Sequence, residues 1–140
     1  MYLETTACQG TTILREYSGS ISSPNYPNNY RPNTNCVWKI IPPRDSKFII
    51  FNFQDFRLES GSTCSFDYVE IRNGNSPTSP LVKRFCGNKF DSRLTIKGQS
   101  VFIRFRTDGT VNYKGFRAVY QAGSDIKGTN KFITKIFQIS

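Results

Sequence analysis

The sequence predicts an all-β fold, an antiparallel β-sandwich, on three observations. Short apolar runs alternate with Gly, Pro and Asn turn signals along the chain. No segment before residue 121 has apolar residues at helical spacing. Four cysteines stand at wide intervals, as in a disulfide framework. The 140 residues fit one domain. Twelve Phe and seven Tyr supply large buried areas for its core.

In chain order, residues 22–32 form a loop rich in Pro and Asn. Residues 36–41 read as a strand that stops at Pro42 and Pro43. Residues 47–53 form a second strand, with Ile49, Phe51 and Phe53 on a wholly apolar face. Residues 67–72 alternate apolar with charged and end at Asn73-Gly74; here Glu70 and Arg72 form a solvent-facing row. Strands follow at 81–85 and 93–96. In the strand at 101–106, Phe102, Arg104 and Arg106 share the face opposite Val101, Ile103 and Phe105. The last strong strand is 115–120. Trp38, Phe51, Phe53, Phe105 and Phe116 are core positions, whereas Tyr26 and Tyr30, in the Pro-rich loop, are candidates for ligand contact. The expected division is an N-terminal extension at 1–7, a domain at 8–121, and a tail or linker at 122–140 that could add an edge strand at 131–137.

Net charge is +9, from nineteen Lys and Arg against ten Asp and Glu. The basic residues are scattered, and no nucleic-acid motif accompanies them. Cys8, Cys36, Cys64 and Cys86 allow three connectivities, of which the local pairing Cys8–Cys36 and Cys64–Cys86 is favoured. Closing loops of this size contributes about 3–4 kcal/mol each. Zinc would need close Cys pairs or His, and neither occurs. Disulfides imply an oxidising compartment. Residues 1–7 are too short and polar for a secretory h-region, so Met1 is read as the start of an excised or mature domain. No run of apolar residues is long enough to span a membrane as a helix.

The chain has no histidine. That excludes a Ser-His-Asp triad, a Cys-His pair and a His-ligated metal. Three separated acids, Glu59, Asp67 and Asp108, each sit at a strand end or in the loop beyond it. Carboxylates brought together repel one another unless a cation is present. Without imidazole, that cation is a hard one with oxygen ligands, and Ca2+ is the first choice.

Ordered along the chain are Cys8, then Ser18-Gly19-Ser20-Ile21-Ser22-Ser23-Pro24-Asn25-Tyr26-Pro27, Tyr30 and Pro32, and then Cys36-Val37-Trp38. Phe51-Asn52-Phe53 with Phe56, Leu58-Glu59, Cys64 and Asp67-Tyr68-Val69 come next. Phe85-Cys86-Gly87, Phe105 with Asp108, and Gly115-Phe116 with Tyr120 complete the series. Over residues 8–120 this series resembles the CUB family of extracellular domains. The resemblance implies a two-layer, jelly-roll type β-sandwich with local disulfides, used for binding outside the cell. It also implies a calcium site in which Glu59, Asp67 and Asp108 share one ion, helped by loop oxygens at Thr110 and Val111. The family's tyrosine before the early glycine, which supports the Glu, is replaced here by Ser18, with Tyr17 one residue earlier.

The expected function is a non-enzymatic, calcium-dependent binding module of a larger secreted or cell-surface protein. Its expected partner is a protein that offers Lys or Arg to the calcium site. The alternative is adhesion to sulfated or bacterial glycans through Arg104, Arg106 and Arg117, with calcium purely structural. A third expectation is self-assembly through the tail strand.

Overall fold

The alternating pattern resolves into nine strands and no helix among the residues described by the computed structural model, which are residue 8 and residues 10–124. They are β1 (Thr11–Leu14), β2 (Ser18–Ser22), β3 (Asn35–Ile40), β4 (Phe48–Arg57), β5 (Tyr68–Asn73), β6 (Leu81–Phe85), β7 (Arg93–Lys97), β8 (Val101–Arg106) and β9 (Gly115–Gly123). A five-stranded sheet in the order β1-β3-β8-β5-β6 packs on a four-stranded sheet in the order β2-β9-β4-β7. This is the sandwich expected. Every strand pair is antiparallel except β1 with β3. Those two run parallel because the chain crosses into the other sheet as β2 before it returns as β3. Neither β1 nor β2 is evident in the sequence: they are edge strands, rich in Ser, Thr and Gly, and Ile21 is their one fully buried side chain.

The core lies between the sheets. Ile49, Phe51 and Phe53 of β4 face Trp38 of β3, Ile103 and Phe105 of β8, and Val69 and Ile71 of β5 across it. A bulge in β4 then sets Phe53 opposite Ala118 and Asp55 opposite Arg117, so one extra residue is accommodated. In a regular strand residues 53 and 56 would point to opposite sides. The bulge turns both inward, and their rings meet edge-on at 5.3 Å. Phe53 makes further edge-on contacts with Phe85 at 5.3 Å and Phe116 at 6.1 Å. Phe48 and Ile50, on the other face of β4, are also buried, so that strand is apolar on both sides at its start.

Both disulfides take the local pairing. Cys8–Cys36 has a Cα–Cα separation of 4.8 Å and Cys64–Cys86 one of 5.4 Å, both within the usual span. Strand β9 continues to Gly123, and the suggested edge strand at 131–137 lies outside the described residues.

Candidate metal centre

Three strand ends bring the carboxylates together. Asp67 immediately precedes β5, and Asp108 lies two residues past β8. These strands pair antiparallel, with Tyr68 opposite Arg106, so both acids emerge at one end of the sheet. Glu59 lies two residues past β4. The backbone around it is fixed by Leu58 N donating to Gly87 O at 2.7 Å and Gly87 N donating to Glu59 O at 3.2 Å. Carboxylate oxygens of Glu59, Asp67 and Asp108 lie within 4.8 Å of one another.

Asp67 is fully buried, while Glu59 and Asp108 are partly buried. The Tyr30 hydroxyl donates to Asp67 Oδ2 at 2.6 Å, and the backbone N–H of Asp108 donates to Asp67 Oδ1 at 2.8 Å. The same Tyr30 oxygen accepts from the backbone N–H of Glu59 at 3.2 Å. Tyr30 is therefore not an exposed ligand contact. It is buried, edge-on to Phe105 at 5.2 Å, and it joins two of the acids. It takes the supporting role for which the sequence offered only Ser18 and Tyr17. Tyr17 is exposed and donates its hydroxyl to Asp45 instead.

The electrostatics are those of a cluster short of positive charge. Burial, then the charges of Asp108 and Asp67, push the Glu59 carboxyl above its ordinary range. Burial raises Asp67 as well, although the Tyr30 and Asp108 hydrogen bonds pull the other way. Glu59 Oε1 is buried with no hydrogen-bond partner among the described residues. So is Asn112 Oδ1, in the loop that follows Asp108. That loop turns back on itself, with Thr110 N–H donating to Asp108 Oδ1 at 3.1 Å. Val111 has a φ of 38°, a left-handed conformation that is costly for a β-branched residue. The clustered donor set is entirely carboxylate oxygen, and Glu59 Oε1 within it is buried without a donor. It fits a hard cation such as calcium.

Sequence reasoning misjudged Tyr30, because its burial depends on Phe105 and Asp67, far along the chain.

The other candidates lie elsewhere. Tyr26 is partly buried and donates its hydroxyl to Asp55 Oδ2, so that oxygen is already committed. Arg104 and Arg106 do share a face of β8, Arg104 partly buried and Arg106 exposed. Arg117 belongs to β9 in the other sheet and donates to Gln54, which separates it from them. Glu70 points to the outer side of the five-stranded sheet, yet it is only 1% exposed, because Arg72 and Arg84 cover it. A groove lined by Ser20, Asn52, Gln54 and Gln121 on the four-stranded sheet includes none of the three clustered acids.

Comparison with known proteins agrees with this architecture. The family model described as CUB domain matches residues 8–120. Bone morphogenetic protein 1 of Xenopus laevis is 42% identical over 107 residues, which is 76% of this chain and 15% of that protein. Human Tolloid-like protein 1 is 42% identical over 105 residues, 75% of this chain and 10% of that protein. The chain thus spans a small fraction of the length of the curated relatives it matches. Among solved structures, the full extracellular region of zebrafish Gpr126/Adgrg6 aligns with a TM-score of 0.72 at 33% identity, covering 86% of this chain and 15% of that one. The MASP-1 CUB2 domain bound to Ca2+ aligns with a TM-score of 0.70 at 29% identity, covering 79% of this chain and 97% of that one. With its two-sheet sandwich, two local disulfides and a family match across residues 8–120, the chain belongs to the CUB domain family.

Proposed function

We propose that this chain is a calcium-dependent binding module that works outside the cell as part of a longer protein. The observation that carries the reading is the gathering of Glu59, Asp67 and Asp108 within 4.8 Å of one another, with Glu59 Oε1 buried and unpartnered among the described residues. Glu59, Asp67 and Asp108 would hold the ion, with Asn112 Oδ1 and the loop oxygens of Thr110 and Val111 completing an oxygen set of the size calcium takes. Bound calcium would supply the positive charge that this corner lacks. The strained Val111 fits a loop held in place by a ligand. Support also comes from the similarity to a CUB domain described as bound to Ca2+.

The partner is a protein that presents Lys or Arg to the same carboxylates, where a cationic head group meets an acid already oriented by calcium. The disulfides and the match to an extracellular region support a secreted or cell-surface setting. The role is binding, not catalysis.

Calorimetric titration with calcium tests the reading, together with melting curves in calcium and in chelator. Binding is expected near the weak range of extracellular modules, about 10⁻⁴–10⁻³ M. Melting should shift upward in calcium, and Asp67→Ala should abolish that shift. Identical curves for the unmutated chain in calcium and chelator would refute it.

A further inference from the structure

The five-stranded sheet turns a cationic face to solvent. Its strands carry Lys39, Arg72, Lys83, Arg84, Arg104 and Arg106 against a single acid, Glu70. Strand register gathers most of these on one side. Glu70 in β5 stands opposite Arg104 in β8 and opposite Arg84 in β6. Arg72 follows two residues along β5, and Arg106 two along β8, so both share that face. Neighbouring strands lie about 4.8 Å apart, so the guanidiniums form a continuous field across three strands.

Arg72, Arg84 and Arg104 are held in place. Glu70 accepts from Arg72 Nε at 2.9 Å and from Arg84 Nη2 at 2.7 Å. The Arg84 guanidinium lies 4.0 Å from the Tyr68 ring centroid, and that of Arg104 lies 5.3 Å from the Phe102 centroid. Arg104 faces Glu70 in register but does not bond to it. Its Nε, like that of Arg84, is buried with no hydrogen-bond acceptor among the described residues. Arg106 is exposed and makes no ion pair among the described residues. One carboxylate therefore orients the field without neutralising it.

We propose that this face binds a linear sulfated polysaccharide, whose sulfate oxygens accept hydrogen bonds from Arg84, Arg104 and Arg106. Guanidinium forks match the oxygens of a sulfate group, and aromatic contacts hold those of Arg84 and Arg104 ready at little entropic cost. A field spread over three strands suits an extended polyanion better than one small anion. The two disulfides place the chain where nucleic acid is not the expected polyanion. This inference does not draw on the calcium reading.

The test uses the full chain on immobilised heparin, with affinity measured against salt. The Arg104→Gln/Arg106→Gln pair is compared with Lys97→Gln/Arg117→Gln, an equal charge loss on the other sheet. The unmutated chain should bind at physiological salt, and the first pair should weaken binding about tenfold while the second changes it by about twofold. Arg106→Gln alone guards against misfolding, since Arg106 is exposed: it should weaken binding a few-fold at an unchanged melting temperature. Binding should persist in chelator, so failure of the calcium site leaves this result intact. Equal loss in both double variants would show diffuse charge attraction and overturn the proposal. So would absence of binding at physiological salt, stronger capture by phosphatidylserine vesicles than by heparin, or loss in chelator with the fold retained.

Discussion

The Tyr30 hydroxyl and the Asp67 carboxylate meet at 2.6 Å in a buried position, 37 residues apart in sequence. The same hydroxyl oxygen receives the Glu59 backbone N–H, so one phenol fixes two acids from different strand ends. Burial, then the hydrogen bond to Asp67, pushes the Tyr30 hydroxyl far above its ordinary range. It remains a donor at any physiological pH. The cluster is thus oriented through a neutral group that adds no charge of its own.

Tyr30→Phe keeps the edge-on contact with Phe105 and removes only the hydroxyl. Asp67 Oδ2 then loses its donor and the Glu59 N–H loses its acceptor. Supporting partners of metal ligands are typically worth about 10–100-fold in affinity. The expected outcome in calorimetry is calcium binding weakened by about tenfold, with stability in chelator lower by about 1–2 kcal/mol.

Asn112→Ala separates ligation from support. Asn112 Oδ1 has no partner among the described residues, so removing it breaks no hydrogen bond within the protein. Melting in chelator should stay within about 0.5 kcal/mol of the unmutated chain. Calcium affinity should fall several-fold. Unchanged affinity would remove Asn112 from the set of oxygen donors.

The fold was legible because its strong strands alternate in period two around large apolar residues, as Ile49, Phe51 and Phe53 do. What escaped was set by distant partners. The edge strands β1 and β2 are recruited by pairing with β3 and β9, not by their own Ser- and Thr-rich sequences. Glu70 reads as a surface residue by alternation, and it is on the outer face. Its burial comes from Arg84 and Arg72, which no local pattern announces. The sharing of one site by Glu59, Asp67 and Asp108 was legible through the family resemblance, whereas the hydroxyl that joins two of them came from a Pro-rich loop.

Glu70 gives a pH dependence. Burial alone would raise its carboxyl, but the hydrogen bonds and charges of Arg72 and Arg84 outweigh this and hold it below the usual range. A folded value below the unfolded one means that this acid stabilises the protein above its unfolded pKa, and that the contribution is lost as pH falls through the folded value. Glu70→Gln should cost about 2–3 kcal/mol at pH 7, since it strands two guanidiniums. The gap between variant and unmutated chain, followed by urea unfolding, should close as pH drops below the usual carboxylate range. A gap of constant size down to strong acid would show that Glu70 acts by packing and not by charge.

Gly115 closes the loop that begins at Asp108, and it does so with a φ of 87°. A Cβ there would lie 1.8 Å from Ser23 Oγ. Ser23 is nearly fully buried and cannot move aside freely: its Oγ accepts from Phe116 N–H at 3.0 Å, and its own N–H donates to Phe116 O at 3.0 Å. Gly115→Ala therefore meets two separate penalties, a left-handed backbone costing about 1 kcal/mol and a steric clash of about 1–3 kcal/mol. The two are separable. In a Ser23→Gly background the clash disappears while the backbone penalty remains, so Gly115→Ala should cost about 2 kcal/mol less there than in the unmutated chain. Equal costs in both backgrounds would mean that the loop shifts to relieve the contact. Calcium affinity would then be the sensitive readout, because the displaced segment carries Asp108 and Asn112.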